Sequence, residues 1–388
     1  MVRTGLERWL REPRRWTGGE RVGLLCHAAS VTADLTHAAA ACWAHPAIEL
    51  TALFGPQHGL STHTQDNMVE WRSGRDAHTG IPLYSLYGEV RKPTPQMLAE
   101  VDTLVVDLQD VGTRVYTYLW TLAHVLEAAA EAGKRVVVLD RPNPIGAAVE
   151  GPLLQPAYAS FVGLYPLPLR HGLTLGELAA YLNTEHQLGA DLTVVELEGW
   201  RREQWFDQTG LPWVMPSPNM PTLETAAVYP GAVLVEGTTL SEGRGTTRPF
   251  ELLGAPGIDP DALTARLTSL ALPGVSFRPA TFQPTFQKHA GQLCGGLQMH
   301  VIDRRLFQPV LTTALVLSAI WADWPTTVRW LEPPYEYVHD RLPIDLLAGH
   351  PGLREGVEQG RTAGEWLAHW RAERAPFEAA RTAYLRYP

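Results

Sequence analysis

Two carboxylates and a guanidinium crowd into one short stretch, Asp107, Asp110 and Arg114, in the run DLQDVGTRVYTY. Like charges held close push one carboxyl pKa upward, which yields a proton donor beside an ionised partner. The same residue types also serve a plainer purpose, an Asp capping the next helix and an Asp to Arg ion pair. Tyr116 and Tyr118 follow in alternation, spaced either to stack on a sugar face or to pack. A second cluster is the tight loop GPQHG, Gly55 to Gly59, which presents Gln57 and His58. A histidine held between Gly and Pro residues at a strand end is well placed for proton or binding work. Beyond it, Gln65, Asp66, Asn67 and Glu70 are polar without clear periodicity, as in a loop or short helix over a cleft. DRPNPIG is a rigid turn that fixes Asp140 and Asn143, and SPNMPT is a second stiff loop, carrying Asn219. SEGRGTTRPFE adds Glu242, Arg244 and Arg248, with Gly243 and Gly245 letting backbone approach a ligand. Arginine forks of this kind suit recognition of a carboxylate.

Loops like these need strand ends to hold them. Apolar runs at Arg21 to His27, Ile48 to Phe54, Thr103 to Leu108 and Arg135 to Leu139 are rich in β-branched residues and alternate with helical stretches, the pattern of a parallel α/β sheet covered on both faces. Helical spacing runs through Tyr118 to Ala132, and Thr174 with Glu177 forms a capping signature ahead of a helix to Asn183. Further strands are expected at Leu192 to Leu197 and Ala232 to Glu236. After Pro256 the order becomes helix (Asp259 to Leu270), strand (Val275 to Phe282), strand (Leu297 to Ile302), helix (Pro309 to Ala322) and an arginine-rich helical tail. The expectation is an α/β sheet domain over 1–252 and a smaller α+β C-terminal domain over 253–388. Ligands of open parallel sheets sit beyond the carboxyl ends of the strands, so the loops after Phe54, Leu108, Leu139 and Val235 should rim one cleft.

Composition narrows the function. A formal charge of -9 over 388 residues speaks against nucleic-acid or anionic-membrane partners, which call for a basic face. Cys26, Cys42 and Cys294 form no CxxC pair, so neither a zinc site nor a disulfide framework is expected. The start, MVRTGLERWLREPRRW, lacks an apolar h-region, and no apolar run nears the roughly 20 residues of a membrane span, which leads to an expected cytoplasmic location. GxGxxG with an acidic partner, GxxxxGK[ST], HExxH and GxSxG are all missing, which removes support for dinucleotide, P-loop, zincin and serine-elbow chemistry.

Taken together, LFGPQHG, TGIPLYSLYG, DLQDVGTRVYTY, DRPNPIG, EGP, SFVGLYPLPLRHGLTLGELA, PSPNMPT, VYPGAVLVEGTTLSEGRGTTRPFELLGAP and KHAGQLCGG resemble the exo-β-N-acetylmuramidase family, formerly a domain of unknown function. The resemblance spans about residues 5 to 345. It implies a Rossmann-like domain joined to a smaller C-terminal domain, with the active site in the cleft between them. It also implies cofactor-free hydrolysis of terminal, non-reducing N-acetylmuramic acid (MurNAc) from peptidoglycan-derived saccharides.

One departure stands out. The family's first loop often reads PEHG, with its Glu the favoured acid, whereas this chain carries Gln57, and an amide cannot protonate a leaving glycosidic oxygen. Three explanations stay open: Glu70 supplies the carboxyl, another loop residue such as Asp107, Asp110 or Glu242 does, or the protein binds muropeptides without cleaving them. The favoured assignment takes Glu70 as acid and Asp107 or Asp110 as its partner, with His58 and Asn67 as orienting groups. Arg114, Arg244 and Arg248 are then the candidate binders of the lactyl carboxylate, and Tyr116, Tyr118, Asn143 and Asn219 further substrate contacts. No metal is expected; the rival in which His58 and nearby carboxylates hold one is the weakest.

Overall fold

The computed structural model of the chain describes residues 2–66 and 68–388. Its centre is a seven-stranded sheet, ordered β3-β4-β2-β1-β5-β6-β9. The strands are β1 (Arg21–Cys26), β2 (Glu49–Gly55), β3 (Gly74–Arg75), β4 (Pro82–Ser85), β5 (Thr103–Asp107), β6 (Arg135–Leu139) and β9 (Asp191–Val195). All neighbours pair in parallel except β3 with β4. Both faces are covered, and the side-chain period of two shows it. Leu24, Val105 and Val137 pack with the helices Gly5–Arg11 and Ala38–Ala44, while Leu25, Val106 and Val138 pack with Tyr118–Ala132 and its neighbours. Because β1 is flanked by β2 on one side and β5 on the other, the chain reverses winding there, and a crevice opens beyond the carboxyl ends of these strands.

The Thr174–Glu177 capping box forms as expected: the threonine side chain accepts from the Glu177 amide, and the Glu177 carboxylate accepts from the Thr174 amide at 3.0 Å. A short hairpin, β7 (Glu150–Leu153) with β8 (Pro168–Arg170), lies outside the main sheet. The C-terminal part is a three-stranded antiparallel sheet ordered β10 (Leu252–Ala255), β12 (Cys294–Val301), β11 (Val275–Phe282), with the helices Pro260–Thr268 and Pro309–Asp323 beside it. Helix Ala363–Ala380 then leads the tail back across the chain, where the Tyr387 hydroxyl accepts from the Leu197 amide at 3.0 Å and reaches Asp140.

One expected strand is not there. Ala232 to Glu236 is the end of a helix, Leu223–Ala232, running on into a 3₁₀ turn, Val233–Gly237. Thr222 caps the helix by accepting from the Thr225 amide at 3.2 Å. Every residue from Thr225 to Gly237 is buried, so its apolar run carries no one-sided period, and periodicity alone cannot tell such a helix from a buried strand. This turn decides the site, because it delivers Glu236 into the cleft.

Candidate active site

Residues from both halves of the chain converge on a cleft holding about 470 Å³ of space. The GPQHG loop after β2 brings Gln57 and His58, the segment after β5 brings Tyr116 and Thr117, and the SPNMPT loop brings Ser217 and Asn219. From the later chain come Tyr229, Glu236, Arg244, Phe250, Tyr335 and Glu336.

Hydrogen bonds hold these loops to one another. Thr117 Oγ1 donates to Gln57 Oε1 at 2.6 Å, and Asn219 Nδ2 donates to the Gln65 carbonyl at 2.6 Å. The buried Tyr118 hydroxyl donates to the Pro216 carbonyl at 2.7 Å. His27 accepts from the Gln109 amide through Nε2 at 2.9 Å, so its proton sits on Nδ1, which donates to the same Pro216 carbonyl at 3.2 Å. Burial pulls the His27 pKa down to about 3, with Arg141 acting in the same direction, so the ring is a neutral brace.

Backbone strain collects here. His58, Phe250 and Glu336 all line the cleft with left-handed φ values of 67°, 65° and 44°, and Tyr337 continues at 66°. Non-glycine residues occupy that region at a cost and persist where their surroundings impose it, a pattern that clusters at functional sites.

Two carboxylates meet in this cleft. Glu236 pairs with Arg244 at 2.6 Å and accepts from the Tyr335 hydroxyl at 2.8 Å. Glu336 shares a hydrogen bond with the Tyr87 hydroxyl at 3.2 Å. Burial pushes the Glu336 carboxyl up to about 7; the Glu236 charge adds to that shift, while Tyr87 and Arg91 offset part of it. One acid protonated near neutrality beside one held in an ion pair is the division of labour that acid–base chemistry needs.

The residues singled out from sequence divide sharply. Gln57, His58, Tyr116, Asn219 and Arg244 line the cleft. Glu70 does not: its side chain is 48% exposed, bound to the Tyr337 hydroxyl at 2.8 Å and to Arg91 at 3.4 Å. The Tyr337 hydrogen bond and Arg91 lower its pKa, so it is ionised at neutral pH and unfit to donate a proton. Asp107 is fully buried in a two-pronged pair with Arg141, at 2.6 and 2.8 Å. Asp110 caps its own turn, accepting from the Gly112 amide at 2.6 Å, with His171 Nε2 at 3.2 Å. Both therefore serve the sheet ends rather than the cleft.

Arg114 is completely buried, and donates to the carbonyls of Leu167 and Leu347 at 2.9 and 2.6 Å, so it is no carboxylate binder. Asn143 donates to the Leu173 carbonyl at 2.9 Å and accepts from the Ile145 amide, which locks the DRPNPIG turn. Tyr118 is likewise a buried strut. Glu242 lies behind the cleft wall; burial works to raise its pKa, but Lys288 at 2.9 Å and Arg244 at 3.2 Å more than offset this and hold it ionised. Arg248 is half-exposed beside Glu251. Asn67 lies outside the described residues.

Glu236, Tyr335 and Glu336 were missed from sequence. Glu236 was hidden in an expected strand. For Glu336 a signal existed: PPYEY sets a carboxylate between two aromatics directly after a rigid di-proline.

His58 offers a direct check on the electrostatics. Its ring sits 2.7 Å from the Thr64 carbonyl, so Nδ1 carries the proton and Nε2 a lone pair. Burial pulls its pKa down to about 4. Its Cε1 proton resonance should therefore hold still in an NMR titration across the range near 6.5 where a free histidine moves, roughly pH 8 to 5. Movement centred near 6.5 would show the ring to be solvated.

Among the described residues, no three His, Cys, Asp or Glu side chains are grouped so as to hold a metal ion, and no helix is long and apolar enough to cross a membrane.

Sequence and fold comparisons agree on the relatives. A family model described as exo-beta-N-acetylmuramidase NamZ, N-terminal, matches residues 22–224, and its C-terminal counterpart matches residues 227–387. The peptidoglycan beta-N-acetylmuramidase NamZ of Bacillus subtilis (strain 168) is 47% identical over 387 residues, covering 100% of this chain and 91% of that protein. Two crystal structures of DUF1343 family proteins from Bacteroides fragilis NCTC 9343 share the fold. One superposes with a TM-score of 0.89 at 33% identity, the other with 0.76 at 27%; each alignment covers 100% of this chain and 99% of its counterpart.

Proposed function

The chain belongs to the exo-β-N-acetylmuramidase family, and from that premise we propose that Glu336 and Glu236 are its acid and its ionised carboxylate. It is an exo-acting glycoside hydrolase that removes terminal N-acetylmuramic acid from peptidoglycan fragments. The finer reading is that the cleft seats the non-reducing terminal sugar. The observation that carries it is the pairing in one cleft of a buried carboxyl raised to about 7 with a carboxylate ion-paired to Arg244.

In this mechanism Glu336 gives its proton to the glycosidic oxygen as the bond to the anomeric carbon breaks, which neutralises the departing alkoxide. Glu236, aligned by Arg244 and Tyr335, faces the positive charge developing on the sugar ring and acts as nucleophile or as base toward water. Gln57 accepts from Thr117, which turns its amide nitrogen to donating; it can orient a sugar but not protonate a leaving group. Arg244 is flanked by both Glu236 and Glu242, so its charge is already balanced and its first task is to hold Glu236. A binding protein stripped of its acid is not favoured, since this cleft keeps a protonatable carboxyl.

The test is release of free MurNAc from a MurNAc-β-1,4-GlcNAc saccharide, with the first-formed anomer followed by NMR. Retention would go with carboxyl groups about 5 to 5.5 Å apart and a Glu236 nucleophile, and inversion with about 6.5 to 9.5 Å and a base. Glu236→Gln is expected to cut kcat on the order of 100-fold or more. Full turnover by that variant would remove Glu236 from the mechanism. For location we retain the cytoplasm, a reading supported by three buried, unpaired cysteines.

A further inference from the structure

We propose that the groove beside the cleft, lined by Glu70, Trp71, Arg72, Glu89 and Gln96, is the subsite for the departing saccharide chain. This rests on the hydrolase reading above and on Glu336 as its acid. The groove holds about 1300 Å³ of space, against about 470 Å³ in the cleft. The smaller space suits one terminal sugar, and the larger suits a chain that continues beyond it.

Position is the first argument. A general acid delivers its proton to the leaving oxygen, so the departing sugar must lie on the acid's side of the bond. Tyr87 forms the partition on that side. Its hydroxyl bonds to Glu336, its carbonyl accepts from the Trp71 amide at 3.1 Å, and the next residue, Gly88, already lines the groove.

Rigidity is the second. Trp71 Nε1 donates to the Pro56 carbonyl at 2.9 Å, and its ring packs against the loop that carries Gln57 and His58: a methyl group added at Gly55 would fall 2.7 Å from the indole. Glu70 is tied to Tyr337, the neighbour of Glu336, and to Arg91, whose guanidinium lies 4.2 Å from the centre of the Tyr87 ring and 4.8 Å from that of Tyr337. One flat aromatic surface beside the tethered Glu70 and further polar side chains matches an amino sugar, which offers an apolar C–H face, hydroxyls and an acetamide. Glu70, singled out from sequence as the acid, thus gains a role on the leaving-group side.

The test compares two substrates, a MurNAc-GlcNAc oligosaccharide and MurNAc β-fluoride, which has no departing sugar. In Trp71→Ala, KM for the oligosaccharide should rise about tenfold or more, and the kcat/KM ratio of oligosaccharide to fluoride should fall by the same factor. Arg72→Ala, a groove residue without the indole's packing against Gly55 and Gly59, should move the ratio the same way. An unchanged ratio in both variants overturns the subsite even if total activity drops, because collapse of the Gln57 loop would slow both substrates alike. Failure of the wild type to cleave either substrate overturns the hydrolase reading and the subsite with it.

Discussion

Glu336→Gln should lower kcat on the natural saccharide about 100- to 10,000-fold while KM changes little, because the amide fills the same space but has no proton to give. MurNAc β-fluoride should be far less affected, since fluoride departs without protonation. The pH profile supplies a second readout. With its carboxyl raised to about 7, Glu336 is protonated below that pH and loses its proton above it. Wild-type kcat/KM should therefore fall on the alkaline side with an apparent pKa near 7, and that limb should vanish in the variant. Equal losses on saccharide and fluoride, or an alkaline limb that survives the substitution, would take the acid role away from Glu336.

Asp107→Ala should cost about 3 to 5 kcal/mol of folding stability, read as a lower midpoint in urea, and should leave turnover per folded molecule near wild type. The reason is the buried Arg141 guanidinium, 5% exposed, which would lose both arms of its pair. Arg141 also donates to the Val31 carbonyl at 2.9 Å, so the pair ties the end of β5 to the segments following β6 and β1. A variant as stable as wild type but inactive would return Asp107 to the chemistry. The contrast with Glu336 separates two kinds of buried carboxylate. One is paired and braces the sheet; the other, among the described residues, has the Tyr87 hydroxyl rather than a cation as its hydrogen-bond partner, and burial raises its pKa.

Much of this protein was legible in its residues. The parallel strands showed as β-branched runs because strands buried on both faces tolerate little else, and β1, β2, β5 and β6 lie within a residue or two of where those runs predict them. The Thr174 and Glu177 capping box was equally local, two side chains satisfying amides three residues apart. Long motifs identified the family, and the strand-end rule brought Gln57, His58 and Tyr116 to the cleft.

What the sequence could not decide was which polar residues face the cleft and which brace it. Asp107, Arg114 and Asn143 look chemical in one dimension, yet each is consumed by a partner 30 or more residues away in the chain: Arg141 for the first, the carbonyls of Leu167 and Leu347 for the second, that of Leu173 for the third. Glu236 and Glu336 looked unremarkable, one inside an apolar run and the other in a late loop. Their meeting in one cleft, 100 positions apart, sets both the burial and the mutual charge that raise one of them. A pKa is a property of surroundings in space, so local pattern determined the frame of this protein, and tertiary packing alone raised the carboxyl that we propose as its acid.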